Sequence, residues 1–250
     1  FASESLRRDR DIVMAAVSRS GFVLEHAADE LKRDRGIVLA AVRANGEALE
    51  FASEDLRNDR EVVLAAVHSS GGVALSSAGA GLRGDPEIAH ACVSANGLTL
   101  EHVAPELRSD GAIVTAAVQA NGLALEHASP ELRGDRDVVF AALRSNPLAL
   151  RFASEELRDC SEVVADAVSR DGFALEHASE ALRQDRDTVE AAVREGGAGV
   201  LEFASVELRQ ERGLLQVVEE VCSEKRRLVE DRPEGDGLWQ SAPDPECVRL

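Results

Sequence analysis

Apolar positions return along this chain at a fixed interval. A Leu followed by a basic residue stands at Leu6-Arg7, Leu31-Lys32, Leu56-Arg57, Leu82-Arg83, Leu107-Arg108, Leu132-Arg133, Leu157-Arg158, Leu182-Arg183 and Leu208-Arg209. The steps are 25, 25, 26, 25, 25, 25, 25 and 26 residues. Both extra residues fall at Gly-rich junctions, Gly71-Gly72 and Gly196-Gly197. An insertion there lengthens a turn without moving a helix out of register. Self-similarity at a constant short period is the mark of stacked repeats.

Each unit divides into three parts. The first follows a Gly and carries a second Leu seven residues before the marker: Leu24, Leu49, Leu75, Leu100, Leu125, Leu150, Leu175 and Leu201. Leu24, Ala27 and Leu31 then stand at i, i+3 and i+7, which predicts one helical face. The second part is a short turn of the kind Ser154-Glu155-Glu156-Leu157-Arg158. Pro105 and Pro130 sit there, where a helical turn would begin and a missing N–H costs nothing. The third part predicts the best-defined helix. Asp9, Asp34, Asp59, Asp85, Asp110, Asp135 and Asp185 precede it as N-caps, each stabilising it by about 1 kcal/mol. Its body reads Ile12-Val13-Met14-Ala15-Ala16-Val17 and Val62-Val63-Leu64-Ala65-Ala66-Val67, with the first, second, fifth and sixth positions on one face. Gly21, Gly46, Gly97, Gly122 and Gly172 close the units as C-caps.

One such unit cannot bury its own apolar face, whereas stacked units bury it between them. The fold class is therefore all-α, a solenoid of about nine tandem 25-residue short-helix repeats. Residues 1–211 form the array, with a truncated first unit. Residues 212–232 form a capping helix with Leu214, Leu215, Val217, Val218 and Val221, and residues 233–250 form a flexible tail. The opening Phe1-Ala2-Ser3-Glu4 falls in mid-repeat, which predicts a fragment of something longer.

Seven Phe, one Trp and no Tyr suit thin, similar layers better than one thick core. The net charge is −18, from 28 Lys and Arg against 46 Asp and Glu. Such a surface repels nucleic acid, whose binding rests on Lys and Arg displacing counterions. It also repels anionic membranes, and it favours solubility and a basic partner. No apolar run approaches the length of a membrane span. Cys92, Cys160, Cys222 and Cys247 form no C-x-x-C pair, so a reducing compartment such as the cytoplasm is the default.

His26, His102, His127 and His177 share one repeat position with Phe51, Phe152, Phe203 and Ser77. A slot that accepts His or Phe selects a flat ring for packing, so no metal site is expected; imidazole ligation needs further convergent ligands. His68 and His90 form no H-x-x-x-H pair. Gly79-Ala80-Gly81 lacks the Lys-Ser/Thr of a phosphate loop. No catalytic constellation and no cofactor motif stands out. Cys160 takes the place of a capping Asp, either as a thiol of raised reactivity or as drift. Cys92 reads as core packing. The unit from Gly72 to Val93 departs furthest from the pattern and is expected to be the weakest.

The Arg ladder beside the marker Leu, with Arg57, Arg83, Arg108, Arg133, Arg158 and Arg183, has two readings. It is a structural ladder of ion pairs to the Glu seven residues earlier, or of carbonyl caps. Alternatively, it is a basic stripe that grips an acidic peptide or phosphate, since Arg suits bidentate anion contacts.

The string Ala48-Leu49-Glu50-Phe51-Ala52-Ser53-Glu54-Asp55-Leu56-Arg57-Asn58-Asp59-Arg60-Glu61-Val62-Val63-Leu64-Ala65-Ala66-Val67 resembles the repeat family called domain of unknown function 4116. The resemblance covers nearly all of residues 1–222 and implies tandem short helical units. It implies no activity. The leading expectation is a non-catalytic scaffold for protein–protein interaction. Met14, Leu39, Leu64, His90, Thr115, Phe140, Ala165 and Glu190 vary at one fixed position, as partner reading or neutral drift would produce. The alternative is an accessory repeat region of a larger enzyme whose catalytic domain lies elsewhere. Helical-repeat RNA recognition is opposed by the charge.

Overall fold

The computed structural model describes residues 3–70 and 72–230. The expected tail, 233–250, and the last residues of the expected capping helix lie outside the described residues. Every described element is helical, and no strand occurs among the described residues. The chain divides into two compact bodies, residues 1–133 and 134–250.

In the first body the long helices are Arg10–Val17, Arg35–Ala44, Arg60–Ser70, Pro86–Ala95 and Gly111–Ala120. The Asp before each closes the exposed N-terminal donors. One Asp34 carboxylate oxygen accepts from Gly36 N at 2.8 Å and Ile37 N at 3.1 Å. Asp9, Asp59, Asp85 and Asp110 do the same two and three residues on. The inward face then repeats without change. Ile37, Val38, Ala41 and Val42 are buried, as are Val62, Val63, Ala66 and Val67 one unit later. Each long helix packs on the next, and a short 3-10 helix from one unit packs on the 3-10 helix of the following unit. The fully buried Leu24, Leu49, Leu75 and Leu100 lie between these two rows. Burying one such side chain contributes about 1.5–3 kcal/mol relative to leaving it in water.

The second body repeats the scheme with Arg136–Ser145, Ser161–Val168, Arg186–Gly196 and the longer Arg212–Glu230. Asp135 and Asp185 cap their helices through Asp137, Val138 and Thr188. Leu214, Val217 and Val218 turn the buried face of the last helix onto Arg186–Gly196.

Three local expectations need correction. The first part of each unit is a 3-10 helix, not an α-helix: in Gly21–His26, Ala27 N donates to Leu24 O across three residues. Ala27 is already extended, at φ −68° and ψ 154°, so Leu24 and Leu31 lie on different helices. The second part is not a turn but a helical turn of its own, as in Glu54–Arg57 and Pro130–Arg133. The closing glycines are not left-handed C-caps. Positive φ occurs at Gly72 (94°) and Gly197 (83°), the two insertion points. Gly21, Gly46, Gly97 and Gly172 instead begin the 3-10 helices, where the backbone of the next long helix presses against them. A methyl on Gly46 would overlap the Ala66 carbonyl, and one on Gly21 the Ala41 carbonyl.

Candidate functional site

The basic ladder is held in place by the main chain. Within each body, the carbonyl of a ladder residue accepts from an N–H of the following unit. Ser53 donates to Lys32 at 3.0 Å, Gly79 to Arg57 at 2.9 Å, Ala104 to Arg83 at 3.0 Å and Ser129 to Arg108 at 3.0 Å. In the second body Ser179 donates to Arg158 at 2.9 Å and Ser205 to Arg183 at 3.2 Å. One basic side chain per layer is therefore set at an equivalent place, beside the exit of the 3-10 helix.

Two ladder members turn inward. Arg108 donates through Nε to Val103 O at 3.0 Å and through Nη2 to Glu101 O at 2.6 Å. Arg209 treats Ala204 O and Glu202 O likewise, at 2.9 and 2.5 Å. These are carbonyls that the end of a short helix leaves without partners. The ion pair to the Glu seven residues earlier does not form among the described residues: the Glu101 main chain, not its carboxylate, meets Arg108. Arg57, Arg133, Arg158 and Arg183 have a buried Nε with no acceptor.

Between successive ladder residues the surface opens into a cleft. The Arg7–Lys32 cleft encloses about 360 Å³, the Arg57–Arg83 cleft about 380 Å³ and the Arg83–Arg108 cleft about 420 Å³. All three lie in the first body. The ring position lines each: His26, Ser77 and His102 respectively. Elsewhere that position packs as a ring. Phe51 takes the edge of Phe22 at 6.4 Å, Phe203 that of Phe173 at 6.3 Å, and Arg151 covers Phe152 at 4.3 Å. Burial pushes His177 below the ordinary imidazole range. No group of three or more His, Cys, Asp or Glu placed to hold a metal occurs among the described residues.

A second ladder, on the long helices, was overlooked in the sequence although its signal is plain: Asp-Arg recurs at 9–10, 34–35, 59–60, 135–136 and 185–186. The Arg reaches forward to the next cap. Arg10 meets Asp34 at 2.9 Å, Arg35 meets Asp59 at 2.9 Å and also Glu61, and Arg60 meets Asp85 at 3.3 Å and also Glu87. Arg186 meets Glu211 at 3.0 Å. Arg10 and Arg35 hold the Asp34 and Asp59 carboxyls below their usual range. At Asp85 the helix N–H of Ile88 does most of this, with Arg60 adding to it.

Asn45, Asn96, Asn121 and Asn146 were also missed. Each ends a long helix and caps the following 3-10 helix, accepting from the N–H two residues on at 2.9–3.1 Å. Cys160 occupies the cap of Ser161–Val168 without making a side-chain bond to it, and Arg136 lies 3.8 Å from its sulfur. Cys92 is buried in the core, which pushes its thiol up to about 12.

No helix among the described residues is long and apolar enough to cross a membrane. No curated protein and no solved structure matches the chain. The family model for domain of unknown function 4116 matches residues 1–32, 34–83, 85–133, 112–158 and 160–209, the third and fourth matches overlapping. With its repeats, its caps and these tandem matches, the chain belongs to the domain of unknown function 4116 family.

Proposed function

We propose that this chain is a non-catalytic helical-repeat scaffold that binds another protein along the cleft-bearing face of its first body, which carries Arg57, Arg83 and Arg108. The observation that supports it is the recurrence of one cleft, flanked by two ladder cations, at three layer junctions. A surface that offers the same contact at regular intervals suits an extended segment better than a compact small molecule. The net charge of −18 draws partners that are basic overall and opposes nucleic acid. The Arg57–Arg83 cleft then takes an acidic group that such a partner also carries.

Photo-crosslinking tests this reading. A crosslinking residue is placed at Ala80, on the cleft face, or at His90, on the exposed side of a long helix. A discrete partner joined from position 80 and not from 90 is the expected result. Joining from 90 alone would move the binding surface to the long helices, and no discrete partner from either position would end the scaffold reading.

A further inference from the structure

The three clefts are built alike but charged differently. At the Arg7–Lys32 cleft, Glu25, Asp29 and Glu30 line the wall and Glu4 faces in beside Arg8, so carboxylates outnumber cations. At the Arg83–Arg108 cleft, Glu101 and Glu106 balance the two Arg. At the Arg57–Arg83 cleft, Glu54 alone stands against two Arg. The difference comes from the divergent unit. It has Ser76-Ser77 where neighbouring units carry Glu and a ring, and Ala80-Gly81 where they carry Glu54-Asp55 or Pro105-Glu106. In a molecule of charge −18, this is a cleft with a surplus of positive charge.

The two guanidinium groups are also unspent. Among the described residues neither Arg57 nor Arg83 forms a side-chain ion pair or hydrogen bond, and the Arg57 Nε is buried without an acceptor. That Nε is shut off from the cleft, as it is in Arg133, Arg158 and Arg183; it is the terminal guanidinium nitrogens, uncommitted in both Arg57 and Arg83, that a carboxylate would meet through short, charge-assisted bonds. Arg108, by contrast, has committed its donors to its own carbonyls. The adjoining strip is open at its far end: nothing lies within 4 Å of where a Gly81 side chain would begin, whereas Asn58 stands over Gly79. A main chain can lie flat there.

We propose that the Arg57–Arg83 cleft is an anion site that takes a Glu or Asp side chain from an extended acidic peptide segment. It rests on the scaffold reading only in assigning the anion to a protein. The two cations grip the carboxylate, and the Gly79-Ala80-Gly81 strip carries the flanking backbone.

Fluorescence anisotropy of the full chain with a labelled Glu-rich peptide, and with its Gln-substituted counterpart, tests the site. The Glu peptide should bind saturably and the Gln peptide should not. Arg57→Gln together with Arg83→Gln should weaken binding about tenfold or more, as loss of a charge-assisted contact does. Arg183→Gln should leave it unchanged. Ala80→Glu keeps both Arg, rebuilds the acidic wall and should weaken binding as much; its melting curve shows whether the fold is intact. Equal binding of the two peptides, equal loss in Arg183→Gln, or unchanged binding in Ala80→Glu would overturn the assignment. Full displacement by micromolar inorganic phosphate would reassign the site to a free anion. If the peptide fails while crosslinking from position 80 persists, the anion site falls and the scaffold stands.

Discussion

Gly46 shows how one residue's identity is set by a neighbour in the following unit. Its position beside the Ala66 carbonyl leaves no room for a methyl, and Ser70 closes the same space. Gly46→Ala should therefore destabilise the first body by about 1–3 kcal/mol, the usual cost of overpacking. Gly111 gives the opposite case. It begins Gly111–Ala120, and a methyl added there would meet nothing within 4 Å, so Gly111→Ala should stabilise by about 0.5–1 kcal/mol. Urea unfolding of the two variants beside the parent checks both signs. The sequence shows Gly46 and its counterpart Gly97 plainly, and their position at a unit boundary is legible. Their reason is not, because the atom that excludes a side chain belongs to the next layer. The Asn before them was passed over for a related reason: a capping residue is conspicuous before a long helix and inconspicuous before a 3-10 turn.

At the scale of the element, the long helices were the most legible. An Asp cap followed by paired β-branched and Ala positions predicts both where the helix starts and which face is buried. The 3-10 helices were legible only as something helical, since the spacing of Leu24 and Ala27 fits either helix type. The hydrogen-bond span decides between them, and composition does not report it. Ser161–Val168 allows the cap's contribution to be measured. Cys160 leaves the first-turn donors without a side-chain acceptor, so Cys160→Asp should stabilise the second body by about 0.5–2 kcal/mol. The gain should appear as a higher denaturation midpoint, and no gain would mean that the site resists the Asp geometry seen in the other units.

For the whole molecule, the forward Arg–Asp ladder links stability to acid. Asp34 and Asp59 titrate below their ordinary value of 3.8 in the folded chain, chiefly through Arg10 and Arg35. A depressed carboxylate stabilises the fold at pH values above that ordinary value, and the stabilisation drains away as pH falls through the lowered one. Thermal stability should hold down to about pH 4 and decline below it. Asp34→Asn with Asp59→Asn should flatten that decline, and added salt should shrink the difference between variant and parent because these pairs face solvent. Circular dichroism melts across the acid range measure it. The positions of the cleft-facing Arg residues were legible as a ladder. The surplus charge at Arg57–Arg83 was not, because it depends on which residues of two adjacent units line one opening.

The partners of the forward ladder stand about one unit apart: Arg10 and Asp34 are separated by 24 residues, and Arg60 and Asp85 by 25. Excising residues 35–59 would join Asp34 to Arg60 in the same way that Asp34 now joins Arg35. The capping bonds and the Arg–Asp pair would find like replacements at the splice, while the Phe22–Phe51 ring contact would be lost, since Ser77 takes the place of Phe51. Evolution can therefore lengthen or shorten such a protein by whole modules, through duplication or loss of a stretch of coding sequence, while keeping the capping and ion-pair scheme that joins one module to the next.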